Sequence, residues 1–313
     1  MKQFLTLNDL QNFDAQVALA KEIKANPYQY EELGKRKTLG LLFFNPSLRT
    51  RLSTQKAGRL LGMDVMVMNF SNEAWAIEYE DKTIMEGLRS EHVKEAAQVV
   101  SQYCDVVGIR AFATLTDKEK DESEQVLQKF IQYASVPILN MESATAHPLQ
   151  ALADALTLTE LSLPKKPKVV LTWAPHPKAL PHAVGNSFAR MMEHQDADFV
   201  IANPEGYDLD PRITKDIPVV HNQAEALKGA DVVYAKNWSS YDSYGQILRT
   251  DNEWMLTPEK MAATNNAAFM HCLPIRRNVV VSDSVLDSPN SKVIEQAKNR
   301  TFVAAAVLKT LLS

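Results

Sequence analysis

Glycine is scarce in this chain, with only 10 among 313 residues. No GxGxxG follows any predicted strand, and GxxxxGK[ST] is absent throughout. These two loops hold the pyrophosphate of dinucleotides and the phosphates of P-loop nucleotide hydrolases, respectively. Their absence argues against a nicotinamide oxidoreductase and against a P-loop enzyme.

Cysteine is rarer still. Cys104 and Cys272 are the only two, far apart and each in apolar company. A disulfide framework or a thiolate metal site needs more cysteines at closer spacing. We therefore expect a reducing compartment, the cytoplasm, and no bound metal.

A strong charge and a long apolar run are also missing. The formal net charge is −4 and the pI is near 6.0, so nothing favours binding to nucleic acid or to a membrane surface. No stretch of 18 apolar residues occurs, and residues 1–10 lack the apolar core of a signal peptide. We expect neither a transmembrane helix nor a secretory leader.

The chain does contain a regular alternation of elements. Its 313 residues, 45% of them hydrophobic, suffice for two domains with cores of their own. Short apolar runs alternate with segments of helical periodicity, which predicts an α/β fold with parallel sheets and right-handed crossovers. The helix 148–161 and the linker 162–167 (SLPKKP) separate two such series. The sequence thus predicts two doubly wound parallel-sheet domains, with the apolar C-terminal helix returning to the first.

Residues 43–51, FFNPSLRTR, join a buried strand to a helix. Pro46 lacks an amide donor and disfavours helix at Asn45, so the strand ends there. Ser47 is a good N-cap residue. The predicted helix has an apolar face and a stop signal, formed by Leu52, Ala57, Leu60, Leu61 and Gly62.

Arg49, Thr50 and Arg51 occupy the first turn of that helix. Cations there oppose the helix dipole, and a bound dianion would resolve the conflict. Free amides and guanidinium forks together suit a phosphate. The alternative is an ordinary strand–turn–helix whose arginines are solvated.

More polar residues follow later strands. Arg110 comes directly after the apolar run 104–109, and Glu142 comes directly after 136–141. His147 and Gln150 open the next helix. In open parallel sheets, ligands bind beyond the carboxyl ends of the strands, so these side chains predict one binding site.

Residues 71–90 are irregular and acidic, and they contain Trp75. The indole is either buried beneath its own segment or reaches a ligand or a neighbouring subunit. The sequence alone leaves both open.

Four motifs, Ser47-Leu48-Arg49-Thr50-Arg51, Arg110, His147-Pro148-Leu149-Gln150 and His271-Cys272-Leu273-Pro274, together resemble the aspartate/ornithine carbamoyltransferase family over essentially the whole chain. The cysteine in the last motif is similar to the ornithine branch. The resemblance implies a trimeric two-domain transferase of one-carbon groups in arginine biosynthesis. It would act on carbamoyl phosphate and an amine without a metal or organic cofactor. It also implies domains at 1–145 with 291–313 for carbamoyl phosphate, and at 146–290 for the amine.

Within that family, the chain lacks the Asp-x-x-x-Ser-Met-Gly loop that receives the free α-amino group of ornithine; residues 236–246 (KNWSSYDSYGQ) stand there. Residues 172–178, 234–238 and 264–278 are instead similar to acylornithine carbamoyltransferases, some of which have a knotted chain. A knot is therefore an expectation for this chain as well.

The resemblance leaves the acyl group to be chosen. In this group, glutamate just before Glu91-His92 goes with acetylornithine and proline with succinylornithine, whereas this chain has Ser90. A glutamate would repel the second carboxylate of a succinyl group and serine does not, so we favour N-succinyl-L-ornithine. Val280 also favours the succinyl substrate, because the acetylornithine enzymes that this chain resembles have a modified lysine at that position. N-acetylornithine, ornithine and a catalytically silent binding paralogue remain the alternatives.

The resemblance also implies residue roles. Thr50, Arg110 and His147 would be catalytic, pointing at the carbonyl oxygen. The residues implied for carbamoyl phosphate are Ser47, Leu48, Arg49, Thr50, Trp75, Arg110, His147, Gln150, Cys272, Leu273 and Arg300. Those implied for the acylornithine are Glu142, His176, Lys236, Arg276 and Ser90. Trp75 and Ser90 would come from the adjacent subunit of a homotrimer with shared active sites. Cys272 could be read as a nucleophile; we prefer a structural role, since transfer to an amine needs no thioester.

Overall fold

The computed structural model describes residues 1–313 as two compact units. Unit 1 comprises Met1–Thr114, Glu119–Leu152 and Arg300–Ser313, and unit 2 comprises Leu115–Lys118 and Ala153–Asn299. The chain passes between them at 114/115 and, within helices, at 118/119, 152/153 and 299/300, whereas we expected boundaries at 145/146 and 290/291. The assignment of one substrate to each domain stays a prediction.

Unit 1 contains a five-stranded, wholly parallel sheet with the strand order β1-β7-β6-β2-β3. Its strands, with a separate two-stranded pair β4–β5, are β1 (Gln3–Phe4), β2 (Thr38–Phe43), β3 (Asp64–Asn69), β4 (Ile77–Glu78), β5 (Glu91–His92), β6 (Val106–Arg110) and β7 (Ile138–Glu142). Its helices are α1 (Phe13–Ala25), α2 (Arg49–Leu60), α3 (Phe70–Glu73), α4 (Val93–Tyr103), α5 (Lys118–Glu122) and α6 (Gln125–Tyr133).

Near-continuous apolar runs explain the central strands of unit 1. β6 and β7 are buried along their whole length, as strands covered on both faces must be. One cluster packs on this sheet, including Leu42, Phe70, Val93, Val107 and Phe130. The α/β fold predicted from the alternation is confirmed.

Unit 2 contains a second parallel sheet of five strands, in the order β10-β9-β8-β11-β12. The strands are β8 (Lys168–Trp173), β9 (Asp198–Ala202), β10 (Val219–Val220), β11 (Val232–Lys236) and β12 (Ala268–Met270). The helices are α8 (Ala183–Met192), α9 (Pro211–Thr214), α10 (Gln223–Leu227), α11 (Pro258–Met261) and α12 (Asp283–Leu286).

Two further helices, α7 (Pro148–Thr159) and α13 (Val293–Leu312), each begin in one unit and end in the other. The expected return of the C-terminal helix to the first unit is confirmed, because α13 joins unit 1 from Arg300 onward. No helix is both long and apolar enough to cross a bilayer.

The loop after β8 is hydrogen-bonded to the segment that follows β11. The Asn237 side chain donates to the Ala174 carbonyl at 2.7 Å, and the Ser239 amide donates to Leu180 at 3.0 Å. The imidazole of His182 contacts the Ser239 carbonyl at 2.7 Å. The loop after β8 is the proline-rich one for which the resemblance implies a knot, and the knot itself stays a prediction.

The start of α2 differs in detail from the sequence prediction. The helix begins at Arg49 with Leu48 at the cap position, so Ser47 is not the N-cap. Its hydroxyl still accepts a hydrogen bond from the Thr50 amide, at 3.2 Å. Leu52 is 59% exposed and does not join the buried face of the helix. Gly62 follows the helix end with a left-handed φ of 79°, as a stop residue should.

Candidate active site

The carboxyl ends of three adjacent strands in unit 1 carry the predicted side chains. Arg110 and Glu142 are the last residues of β6 and β7 and lie opposite each other in the ladder. Phe43, the last residue of β2, pairs with Arg110 on the other side. The parallel arrangement therefore places the two charged groups side by side at one sheet edge.

The guanidinium of Arg110 is buried and held on several sides. One terminal nitrogen donates to the carbonyls of Asn45 and Pro46 at 3.0 and 2.7 Å. The other donates to Glu142 Oε2 at 3.2 Å, and the group lies 4.0 Å from the ring centre of Phe112. The Nε atom is buried without an acceptor in the protein, so one donor is available to a ligand.

Burial and the neighbouring charges together set the pKa of Arg110. Burial lowers the pKa of Arg110, and the nearby charge of Arg49 lowers it further, whereas Glu142 raises it. Two guanidinium groups that repel each other at a sheet edge favour an anion between them. This is the electrostatic arrangement expected of a phosphate site.

His147 and Arg300 extend the cluster to α2. Arg300 donates from Nη2 to the Thr50 hydroxyl at 2.7 Å and lies 3.4 Å from His147 Nε2. The same imidazole nitrogen lies 3.4 Å from Glu142 Oε2. Close contacts therefore connect all five polar groups from Thr50 to Arg110.

The two arginines in the first turn of α2 have different surroundings. Arg49 is close enough to lower the pKa of Arg110. Arg51, which we expected to add to the anion site, instead donates to Asn69 Oδ1 at 3.0 Å. The Leu48 side chain is 67% exposed, so its contribution to a phosphate would come from the backbone.

Gln150 is placed by the first turn of α7. The His147 carbonyl accepts hydrogen bonds from the amides of Gln150 and Ala151, at 3.0 and 3.2 Å. Pro148, at the first helical position, needs no acceptor for an amide. The side chains of His147 and Gln150 are 2% and 1% exposed, so both are fixed by packing.

Trp75 and Ser90 lie in an exposed segment of unit 1. Trp75 is 69% exposed, which excludes burial of the indole beneath its own segment. The Ser90 amide donates to the Ala76 carbonyl at 3.1 Å, so the two ends of the segment are held together. Ile84 and Leu88 are also exposed, at 80% and 97%.

In unit 2, His176 and Arg276 are in direct contact. Arg276 Nε donates to His176 Nε2 at 3.1 Å, and the other imidazole nitrogen lies 2.8 Å from the Lys178 carbonyl. Burial lowers the pKa of His176 below its ordinary value, and the charges of Lys236, Arg276 and Lys178 add to the lowering. The imidazole is therefore neutral at pH 7 and accepts from Arg276. Four basic groups in one place suit a carboxylate.

Lys236 and Cys272 are both buried in unit 2. Lys236 is 7% exposed and its ammonium donates to the Asn237 carbonyl at 2.9 Å. Cys272 is 9% exposed. The Leu273 amide donates to His271 Nδ1 at 2.8 Å, and the His271 amide donates to Gln296 Oε1 at 2.9 Å. These bonds fix the backbone on both sides of the cysteine.

Some contributors were not found from the sequence. Asn45 and Pro46 act through backbone carbonyls, and Phe112 acts through its ring face. Sequence motifs do not identify backbone carbonyls or ring faces. The only indication was the position of Asn45-Pro46 between a strand and a helix. The structure contains no group of three or more His, Cys, Asp or Glu side chains arranged to hold a metal ion.

Comparison with known proteins bears on this geometry. Residues 2–160 match the carbamoyl-P binding domain of aspartate/ornithine carbamoyltransferase, and residues 182–311 match its Asp/Orn binding domain. The chain belongs to the aspartate/ornithine carbamoyltransferase family. The resemblance inferred from the motifs is confirmed.

Relatives within the family include enzymes that act on acylated ornithines. The chain is 50% identical to the N-succinylornithine carbamoyltransferase of Bacteroides thetaiotaomicron, covering 100% of this chain and 99% of that protein. It is 38% identical to the N-acetylornithine carbamoyltransferase of Xanthomonas campestris pv. campestris, covering 100% and 98%.

The chain is also similar to solved structures of enzymes that act on acylated ornithines. A glutamate-to-proline mutant of N-acetyl-L-ornithine transcarbamylase, complexed with carbamyl phosphate and N-succinyl-L-norvaline, has a TM-score of 0.91 at 37% identity. It covers 99% of this chain and all of that one. An acetylornithine transcarbamylase complexed with acetylcitrulline has the same TM-score and identity, with full coverage of both chains.

Proposed function

We propose that the protein transfers the carbamoyl group of carbamoyl phosphate to the δ-amine of N-succinyl-L-ornithine, in arginine biosynthesis. The products are N-succinyl-L-citrulline and phosphate. The observation that carries the proposal is the cluster of Thr50, Arg110, Glu142, His147 and Arg300 at the sheet edge. Its cations and donors suit a phosphate ester.

Carbamoyl phosphate binding begins with the start of α2. Ser47, Leu48, Arg49 and Thr50 hold the phosphate through amides and side chains, and Arg110 shares it. The buried Nε of Arg110 and its proximity to Arg49 support this role. Because Asn45, Pro46 and Glu142 fix the guanidinium, binding costs little side-chain ordering.

The chemical step is an attack by the neutral δ-amine on the carbonyl carbon. A C–N bond forms, the C–O bond breaks with its electron pair on the departing phosphate, and that phosphate takes up the proton that the amine nitrogen loses. Thr50, Arg110 and His147 stabilise negative charge on the carbonyl oxygen, each donor lowering the barrier by about 3–4 kcal/mol. Holding both reactants together lowers the barrier further, and the reaction needs no covalent intermediate.

Two sets of residues orient the reactants. Gln150 and the carbonyls of Cys272 and Leu273 hold the carbamoyl NH2. Glu142, His176, Lys236, Arg276 and Ser90 bind the acylornithine, with Arg300 beside carbamoyl phosphate. The neutral His176 accepting from Arg276 supports recognition of a carboxylate by Arg276.

The succinyl group is favoured over acetyl on two grounds. Ser90 does not repel a second carboxylate, as a glutamate would. The 50% identity to an N-succinylornithine carbamoyltransferase exceeds the 38% identity to an N-acetylornithine enzyme. A transcarbamylase mutant with one glutamate replaced is complexed with N-succinyl-L-norvaline, which agrees with the same reasoning.

We also propose a cytoplasmic homotrimer in which Trp75 and Ser90 serve the site of a neighbouring subunit. The exposure of Trp75, Ile84 and Leu88 supports this, because solvated apolar side chains of that size are covered in an assembly. Mixing Trp75→Ala and Arg110→Ala subunits would restore some activity if sites are shared, since one hybrid site lacks both lesions.

The test is to incubate the protein with carbamoyl phosphate and, separately, N-succinyl-, N-acetyl- and unmodified ornithine. Phosphate release and the mass of the citrulline product are measured, with Arg110→Ala as the inactive control. Highest kcat/KM with the succinyl substrate is expected. Preference for acetylornithine would overturn the acyl assignment alone. No turnover with any amine would identify a silent binding paralogue.

A further inference from the structure

One carboxylate, Glu124, holds the loop that leads into His147. Its Oε1 accepts from the Thr145 amide at 2.8 Å, from the Thr145 hydroxyl at 2.6 Å and from the Ser143 hydroxyl at 2.8 Å. Its Oε2 accepts from the Ala144 amide at 3.1 Å. A single side chain therefore engages three consecutive residues of a four-residue loop.

The loop connects two members of the Arg110 cluster. Residues 143–146 run from Glu142, at the end of β7, to His147, at the start of α7. The Ser143 amide also donates to the Ala146 carbonyl at 2.8 Å, which closes the turn. Because Glu142 and His147 lie 3.4 Å apart, a change in this turn changes the position of the imidazole.

Glu124 itself has an unusual backbone. It lies between α5 and α6 with φ 52° and ψ 38°, in the left-handed region. Glycine and asparagine adopt that region more readily than glutamate does. Neither has a side chain that could place a carboxylate in the loop. Position 124 therefore has a glutamate where its left-handed backbone would favour glycine or asparagine. This indicates that the carboxylate has a role beyond forming the turn.

We propose that Glu124 is a positioning residue for His147 in carbamoyl transfer. The proposal rests on the proposed function, in which His147 donates to the carbonyl oxygen. Glu124 touches neither reactant; it holds residues 143–145 so that His147 starts α7 in the required place. Its loss should lower turnover while the phosphate contacts at α2 and Arg110 persist.

The main variant is Glu124→Gln, which keeps the size of the side chain but removes its charge and one acceptor. We expect kcat per folded molecule to fall by about tenfold to a hundredfold, the effect of a small misplacement of a reacting group. The KM for carbamoyl phosphate should change by less than about threefold, since phosphate contacts are unaltered. Thr145→Val, which removes the hydroxyl bond to Glu124 Oε1 and keeps the amide bond, should lower kcat by about threefold to tenfold.

Asp105→Asn is the matched control. Asp105 also belongs to unit 1 and accepts from a backbone amide, that of Thr38 at 2.7 Å, just before β6, whereas Arg110 is the last residue of that strand. It should keep the wild-type kcat even where its melting temperature falls as far as that of Glu124→Gln. Equal proportional losses of activity and stability in both variants would overturn the proposal.

A measurement without substrate separates this proposal from the proposed function. In protein labelled with 15N-histidine, Glu124→Gln and Thr145→Val should shift the His147 imidazole resonances, and Asp105→Asn should not. Unmoved His147 resonances, or a kcat within about twofold of wild type, would overturn the positioning role. A wild-type protein inactive with every amine would defeat the proposed function, while the resonance shift would still decide on Glu124.

Discussion

Arg300 donates a hydrogen bond of 2.7 Å to the hydroxyl of Thr50, a residue 250 positions earlier in the chain. Both side chains are buried, with exposed fractions of 5% and 1%. Thr50 is in the first turn of α2, and Arg300 belongs to the part of α13 that joins unit 1. The bond thus fixes a predicted catalytic hydroxyl from the C-terminal helix.

Thr50→Val keeps the shape of the side chain and removes this acceptor. The buried guanidinium of Arg300 then loses its 2.7 Å acceptor, so the free energy of unfolding should fall by about 1–3 kcal/mol. The kcat/KM should fall by about a hundredfold, as for loss of one donor to the carbonyl oxygen. Chemical denaturation and steady-state kinetics measure the two effects.

Thr54→Val is its control. Thr54 is on the same face of α2, one turn later, equally buried, and its hydroxyl has no hydrogen-bond partner. Stability and activity should both be kept in this variant. If Thr54→Val were as damaging as Thr50→Val, the Arg300 bond would not explain the loss.

Arg110→Lys tests the guanidinium fork. A lysine keeps the charge but cannot reach the carbonyls of Asn45 and Pro46 and the Glu142 carboxylate together. We expect a higher KM for carbamoyl phosphate, a lower kcat, and a kcat/KM reduced by about a hundredfold. Arg110→Ala should lose affinity and rate together. It should also lose about 3–5 kcal/mol of stability, because the buried ion pair with Glu142 is broken.

Arg59→Lys makes the same chemical change at an exposed position in the last turn of α2. It should have wild-type kinetics. An unchanged rate in Arg110→Lys and Arg110→Ala would reject the placement of Arg110 in the site.

His176 predicts a dependence on pH. Its pKa is lowered, first by burial, so the imidazole is neutral at pH 7 and accepts from Arg276. As the pH falls through this lowered pKa, protonation removes the acceptor and adds a charge beside Arg276. The KM for the acylornithine should therefore rise on the acid side, below the ordinary histidine value. His176→Gln, which can accept without titrating, should lose this acid limb. The same acid limb in that variant would assign it to another group.

Ser90→Glu should move the preference from the succinyl to the acetyl substrate. The added carboxylate repels the second carboxylate of a succinyl group and leaves an acetyl group unaffected. The ratio of kcat/KM for the two substrates is the measurement. Ser71→Glu, with the same charge at another exposed position of the segment, should leave the ratio unchanged. An unaltered ratio in Ser90→Glu would remove Ser90 from the acyl-binding site.

Cys272→Ala should keep turnover within about an order of magnitude. The thiol is buried and the bonds of His271 and Leu273 that fix the local backbone do not involve it. Its removal should cost stability, as truncation of a buried side chain does. Abolished turnover with carbamoyl phosphate binding intact would establish a nucleophile instead.

The sequence predicted the long elements of the fold because their apolar patterns are long. β8 and β12 have the predicted bounds, and β6 and β7 differ from prediction by one or two residues. Arg110 and Glu142 were expected just past their strands and are instead the last strand residues, because neighbouring strands continue the ladder that far. Two-residue strands such as β1 have no detectable period and were not predicted from the sequence.

The site was less accessible to sequence reasoning. Charged side chains after apolar runs located Arg110, Glu142 and His147. The sequence around Glu124, which lies between α5 and α6, carries no local signal for its contacts with residues 143–145. Phe112 and the carbonyl of Asn45 contribute without any characteristic residue type. Tertiary contacts of this kind follow from the fold and not from local pattern.

The bond between Arg300 and Thr50 has a consequence for the order of events in biosynthesis. During translation, Thr50 emerges long before Arg300, so the nascent chain can form the parallel sheet of unit 1 while its phosphate-binding turn still lacks the cation from α13. The complete binding site for carbamoyl phosphate would then form only at the end of synthesis. A chain still bound to the ribosome could not consume this reactive carbamoyl donor.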